Sequence, residues 1–204
     1  MKLYFIPFAC SLAARIALIE AELDCDFVMV TPGGNLPDGR PFAAVSPMGF
    51  VPALETRGGL ALSEGPAVLT YVADLAAEGV LAPPPYSDER YQMMRWLNFV
   101  STELHKGVFA PLMTTRSSEG ARDWARSLID HRFALLSDVL DGQDYLTGSF
   151  TVADAYLLAV LNWCEHVGVA LKDWPVLAAW RARMRLRPSV AQAMGEEMPL
   201  LRAA

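Results

Sequence analysis

Three consecutive prolines, Pro83, Pro84 and Pro85, divide the chain into two stretches with different periodicities. Proline fixes φ and has no amide hydrogen to donate, so neither a helix nor a strand runs through such a triplet. The segment 79–87 therefore reads as a linker between residues 1–78 and residues 88–204. Before it, short apolar runs alternate with one-faced helical spacing, the pattern of a small α/β unit. After it, the spacing is helical throughout. A hydrophobic content of 53% over 204 residues supplies enough apolar surface for two cores.

Residues 2–6 form a compact apolar run stopped by Pro7, as a buried strand would be. Leu12, Ile16 and Ile19 then recur at helical spacing, which puts Cys10 or Ser11 at a helix N-terminus. Unpaired N–H groups there favour an anion, so Cys10 is expected to lean toward thiolate, below its ordinary pKa of about 8.5. The other reading of a lone cysteine is a small buried hydrophobe. Residues 27–30 read as a second strand, parallel to the first across a β-α-β unit, and 31–40 as loop. Residues 51–55 and 59–62 predict an antiparallel hairpin. Ser63 predicts the N-cap of the next helix, with Pro66 in its first turn and Val68, Leu69, Val72 and Leu75 on its apolar face.

Beyond the linker, residues 88–106 predict one long helix with Tyr91, Met94, Leu97, Val100 and Leu104 as its stripe, and 122–140 predict another. Thr151 and Asp154 have capping-box spacing ahead of an apolar helix at 155–163, the expected centre of the helical part. Residues 177–186 make a further helix. Arg181, Arg183, Arg185 and Arg187 fall on alternate positions and are expected to spread over a solvated face.

A net charge of −6 with no concentrated basic block argues against nucleic acid as a partner. No apolar run reaches the ~18 residues of a spanning helix, and no signal-peptide pattern opens the chain, which predicts a cytoplasmic protein away from membranes. Cys10, Cys25 and Cys164 are odd in number and widely separated, as reduced thiols would be. No CxxC occurs and the three histidines stand singly, so no metal site is expected.

Five stretches, MKLYFIPFACSLAARIAL, SPMGFVPAL, LSEGPAVLTYVAD, WLNFVSTELHKG and FTVADAYLLAVLNW, resemble in order and spacing the glutathione transferase superfamily, most closely its bacterial, cysteine-bearing beta class. The resemblance implies an α/β thioredoxin-like N-terminal domain of order β-α-β-α-β-β-α plus an all-α C-terminal domain. It also implies glutathione as co-substrate, a small hydrophobic electrophile held against the helical domain, a detoxifying transferase activity and a homodimer.

By the same resemblance Cys10 and His105 are the catalytic pair. Pro52 is a cis-proline that lets Val51 pair its backbone with the cysteinyl part of glutathione. Glu64 and Gly65 open a helix that takes the γ-glutamyl group, and Asn98, Thr102 and Glu103 on the first helix after the linker join the binding set. Asn35 stands where the family often carries a lysine for the glycyl carboxylate. Ala13 occupies the position of the second cysteine of a CxxC motif, so no dithiol cycle is available in that helix. Cys10 then either holds glutathione as a mixed disulfide or lies beside its sulfur.

Several positions depart from the family pattern. Phe8 replaces a common glycine, Arg15 a common histidine, and Ser46, Met48 and Phe50 replace polar residues of the loop. Apolar surface replaces polar contacts, which predicts weaker glutathione binding or a different preferred thiol. A non-catalytic carrier of hydrophobic ligands on the same scaffold is the alternative reading.

Overall fold

The structure is a computed structural model that describes residues 1–31 and 33–203. Strand β1 (Lys2–Phe5) buries Leu3, Tyr4 and Phe5 and stops one residue before the predicted limit. The Ser11 hydroxyl takes over there, bonding both the N–H and the C=O of Ile6 at 3.2 Å. Helix α1 (Ser11–Glu20) follows with Cys10 at its N-cap. Strand β2 (Asp26–Met29) pairs parallel to β1, one residue earlier than predicted. Strands β3 (Ala53–Glu55) and β4 (Ala61–Leu62) complete a mixed sheet of order β2-β1-β3-β4, with β3 antiparallel to both neighbours. Both are shorter than predicted: β3 begins only after Pro52, which has no amide hydrogen for the ladder, and β4 follows Gly59 at φ +82°.

The helix that the resemblance implies between β2 and β3 is a single 3-10 turn, Phe42–Ala44, among the described residues. The preceding stretch is crowded with glycine and proline, which oppose a helix. Helix α2 (Gly65–Leu75) has Glu64, not Ser63, at its N-cap, and Glu64 sits at φ +67°.

Helix α3 (Asp88–Phe99) is capped by Ser87, whose hydroxyl accepts from the Arg90 N–H. Its buried face is Met93, Trp96 and Leu97; Tyr91, placed on the stripe by spacing, is 57% exposed. The predicted long helix does not stay α-helical. Residues Val100–Phe109 open into a π-helix, in which a Cβ on Gly107 would meet the Thr102 carbonyl at 3.0 Å. After α4 (Ala110–Met113), the helix predicted at 122–140 is two, α5 (Glu119–Ser127) and α6 (Ile129–Leu140), broken at Leu128.

Helix α7 (Val152–Leu161) is buried at every position and carries the expected Thr151–Asp154 capping box. It forms the centre of the molecule, since α1 packs on it from the sheet side. Helix α8 (Pro175–Met184) ends before Leu186, which is 81% exposed. Helix α9 (Pro188–Ala203), absent from the sequence reading, returns to pack on α1.

The four arginines expected on a solvated face are engaged instead. Arg181 meets Glu165, Arg183 the Asp144 carbonyl, Arg185 the Asn162 side chain, and Arg187 the Glu20 carboxylate at 2.5 and 2.8 Å. Alternate positions do spread around a helix, but neighbouring elements cover it on several sides. No helix of the described residues is long and apolar enough to cross a membrane.

Candidate active site

A cavity of about 130 Å³ lies where the heads of α1 and α2 face the π-helix and α7. Cys10, Val51, Pro52, Glu64, Gly65 and His105, all expected at the site, line it. Ser101, Lys106 and Tyr156 line it too, with Ser46, Met48 and Phe50 from the loop before β3. The Val51–Pro52 peptide is cis.

The π-helix accounts for much of this grouping. Its wider turn lets Ser101, His105 and Lys106, at spacings of four and five, face one cavity. Such segments are frequent at functional sites. A second local departure is Glu64, whose positive φ is uncommon for a residue with a side chain and costs of order 1–3 kcal/mol.

Cys10 corrects the sequence reading. Its thiol donates to the Val51 carbonyl at 3.1 Å. Burial pushes its pKa up to about 11, against the pull of the Lys106 charge and the N–H groups of Cys10 and Ser11 at the helix start. Glu64 adds a small upward push. Desolvation of the anion outweighs the helix terminus, so the group is a thiol at neutral pH. In a Cys25→Ser, Cys164→Ser background, iodoacetamide is therefore expected to label Cys10 slowly at pH 7, at a rate still climbing above pH 10. A rate that levels off below pH 9 would contradict this.

His105, expected beside Cys10 as its catalytic partner, is an uncharged ring. Burial first, and the Lys106 charge second, lower its pKa to about 4. It is a neutral ring at pH 7, with Nδ1 2.7 Å from the Tyr156 hydroxyl and its edge against Trp163, ring centroids 4.9 Å apart. The positive charge in the cavity lining is the Lys106 ammonium, which also lies 5.1 Å from the centre of the Phe50 ring.

Four expected binding residues do not line the cavity. Asn98 turns its amide back to the Met94 carbonyl at 2.8 Å, and Thr102 bonds the Asn98 carbonyl at 3.0 Å. Glu103 is paired with Arg132. Asn35 is exposed in a loop stitched by Thr31 and bridged to Pro41. The first three share a helix with His105, but being on the same helix is not being on the same face once the turn widens to π.

Phe8 does not line the cavity. It stands at φ +56° with its ring against the main core, its N–H donating to Glu197 at 2.7 Å and its carbonyl accepting from the Trp163 indole at 2.8 Å. Sequence reasoning missed Glu197, Trp163, Ser101, Lys106 and Tyr156. Tyr156 carried a signal: a phenol inside an otherwise apolar buried helix needs a polar partner.

Comparison with known proteins shows the family of the chain. The family description "Glutathione S-transferase, C-terminal domain" matches residues 99–188. Glutathione S-transferase GstA of Escherichia coli O157:H7 is 38% identical over 97% of this chain and 98% of its own. Two solved structures superpose with a TM-score of 0.91 at 38% identity, each over 97% of this chain and 98% of the other. One is a sphingomonad glutathione S-transferase complexed with glutathione, the other the bacterial beta-class enzyme of Sphingomonas chungbukensis. With a sheet, a helical half and a sequence shared over nearly the full length of such relatives, this chain belongs to the glutathione S-transferase family.

Proposed function

We propose that the protein is a glutathione transferase that places the glutathione sulfur beside Cys10 and directs it at a hydrophobic electrophile. The observation that carries this reading is the meeting of the Cys10 thiol, the Lys106 ammonium and the head of α2 in one cavity. Each suits a part of an anionic tripeptide thiol. Val51, just ahead of the cis peptide, offers its backbone to the cysteinyl unit. The α2 N-terminus at Gly65 offers N–H groups to the γ-glutamyl carboxylate, while Glu64 is available to its ammonium.

In this reading Cys10 stays a thiol and acts as a fixed neighbour, and the borrowed sulfur does the chemistry. Lys106 supplies the charge that favours a thiolate, and His105 supplies a hydrogen bond. The thiolate attacks the electrophilic carbon, forming a C–S bond as the leaving group departs with its electron pair. Residues 1–78 would form the glutathione-binding unit, 79–87 the linker, and 88–204 the unit that holds the electrophile. A cytoplasmic homodimer with a detoxifying role completes the proposal; the exposed Met48 and Tyr91 side chains are apolar surface that a second copy would cover.

Calorimetry with glutathione and a conjugation assay with an aryl halide test the reading together. Binding with turnover supports it. Binding of apolar ligands with no glutathione affinity and no turnover with any thiol would make the protein a carrier. Lys106→Met should lower kcat/KM for conjugation about tenfold and move the thiol limb of the pH–rate profile to higher pH, because one cation near the sulfur is lost. An unchanged profile would remove Lys106 from this role.

A further inference from the structure

The Tyr156 hydroxyl lies 2.7 Å from His105 Nδ1, with the two rings edge to face at 88°. Both residues border the cavity that holds Cys10. Among the described residues, His105 Nε2 makes no hydrogen bond with the protein, yet it is not one of the buried atoms left without a partner. It therefore keeps some exposed surface on a ring that borders the cavity. Gly65 lies directly beneath the phenol: a Cβ there would come within 3.4 Å of the Tyr156 oxygen.

We propose that Tyr156 is a positioning residue that fixes the tautomer of His105, donating its hydroxyl hydrogen to Nδ1 so that Nε2 carries the ring proton toward the sulfur site. A phenol O–H is a good donor and an unprotonated imidazole nitrogen a good acceptor. The reverse arrangement, imidazole N–H to phenol oxygen, pairs a weaker donor with a weaker acceptor. It would also turn a bare Nε2 lone pair toward an incoming sulfur anion, where a hydrogen is needed.

Titratable groups around the pair reinforce this assignment. Burial raises the Tyr156 hydroxyl above its ordinary pKa, with the Cys10 sulfur, once ionised, and the Glu64 carboxylate adding to the rise and Ser101 opposing it. The phenol thus keeps its hydrogen. Lys106, next to His105 in sequence, helps keep the ring neutral. The pair changes no charge through the neutral range; its contribution is direction.

The inference about which nitrogen is protonated stands on the free protein, whereas its use at a glutathione sulfur rests on the proposed function. Nitrogen-15 NMR of the full chain without ligand at pH 7 reads the tautomer directly, with His105→Gln to distinguish its signals from those of His131 and His166. The expected result is a bare Nδ1 and a protonated Nε2; a protonated Nδ1 would overturn the proposal. Tyr156→Phe should give a tautomer mixture and a fall in conjugation kcat of about fivefold to tenfold, with the KM for glutathione little changed. A correctly folded Tyr156→Phe with the wild-type tautomer and kcat would also overturn it. The tautomer reading on the wild-type chain does not depend on Tyr156→Phe, so a misfolded Tyr156→Phe leaves that test intact. Absence of glutathione binding would instead refute the functional reading and leave the tautomer result standing.

Discussion

Asp154→Ala is expected to destabilise the protein by about 4 kcal/mol, enough to lower the melting temperature by roughly 10 °C in a chain of this size. The carboxylate is fully buried and accepts three hydrogen bonds, from the Leu146 N–H, the Thr151 N–H and the Thr151 hydroxyl, each at 2.9 Å. Alanine removes all three and strands two buried backbone N–H groups, each of which costs ~1–3 kcal/mol when unpaired. The damage falls on the start of α7, the helix against which α1 packs. The same residue also ties the loop at Leu146 to that helix start. Thermal unfolding measures the effect. In the fraction that stays folded, kcat should remain within about twofold of wild type, because Asp154 does not border the cavity. A kcat loss exceeding the stability loss in well-folded protein would mean that the cap acts on the site.

How legible each part of the protein is follows from sequence separation. The Thr151–Asp154 box can be read because its signal is contained within four residues. The β-α-β start can be read because strand period, breaker and helix period follow one another within thirty. What escapes the sequence involves distant partners or a change of helical register. Met93 and Trp96 are buried on α3, while Tyr91 is exposed and Met94 packs on the core only in part, and simple stripe counting does not choose between two overlapping sets. The π-helix at Val100–Phe109 separates His105 and Lys106 from Asn98 and Thr102, which α-helical spacing would join on one side. The thiol state of Cys10 escapes as well: a helix terminus is visible in sequence, but the depth of burial that overrides it is not. Helix α9 was hidden by its prolines, since Pro188 reads as a breaker although it is a suitable first helical residue.

Glu197 on α9 is the largest effect of this hidden kind, and Glu197→Ala is expected to cost about 3 kcal/mol. Its carboxylate is fully buried and accepts the Phe8 N–H at 2.7 Å across 189 residues of chain. Phe8 sits in a left-handed backbone conformation two residues before Cys10, so this bond and the Trp163 bond to the Phe8 carbonyl hold the approach to the site from two sides. Arg15 is only a partial counter-ion. Its nearest approach to Glu197 is 3.7 Å, while Glu196 takes its guanidinium at 2.6 Å. Burial consequently prevails over the ion pair and raises the Glu197 carboxyl to about 7. A carboxyl raised in the folded state stabilises it below the unfolded pKa near 4.5 and progressively less as pH rises through 7. Glu197→Gln keeps an acceptor for Phe8 but cannot ionise. Its melting temperature should therefore gain on wild type as pH goes from 5 to 8, whereas Glu197→Ala should remain below Glu197→Gln throughout. A Gln-to-wild-type difference that does not change with pH would show that Arg15 holds the charge after all, and that this end of α9 is an ordinary buried salt bridge.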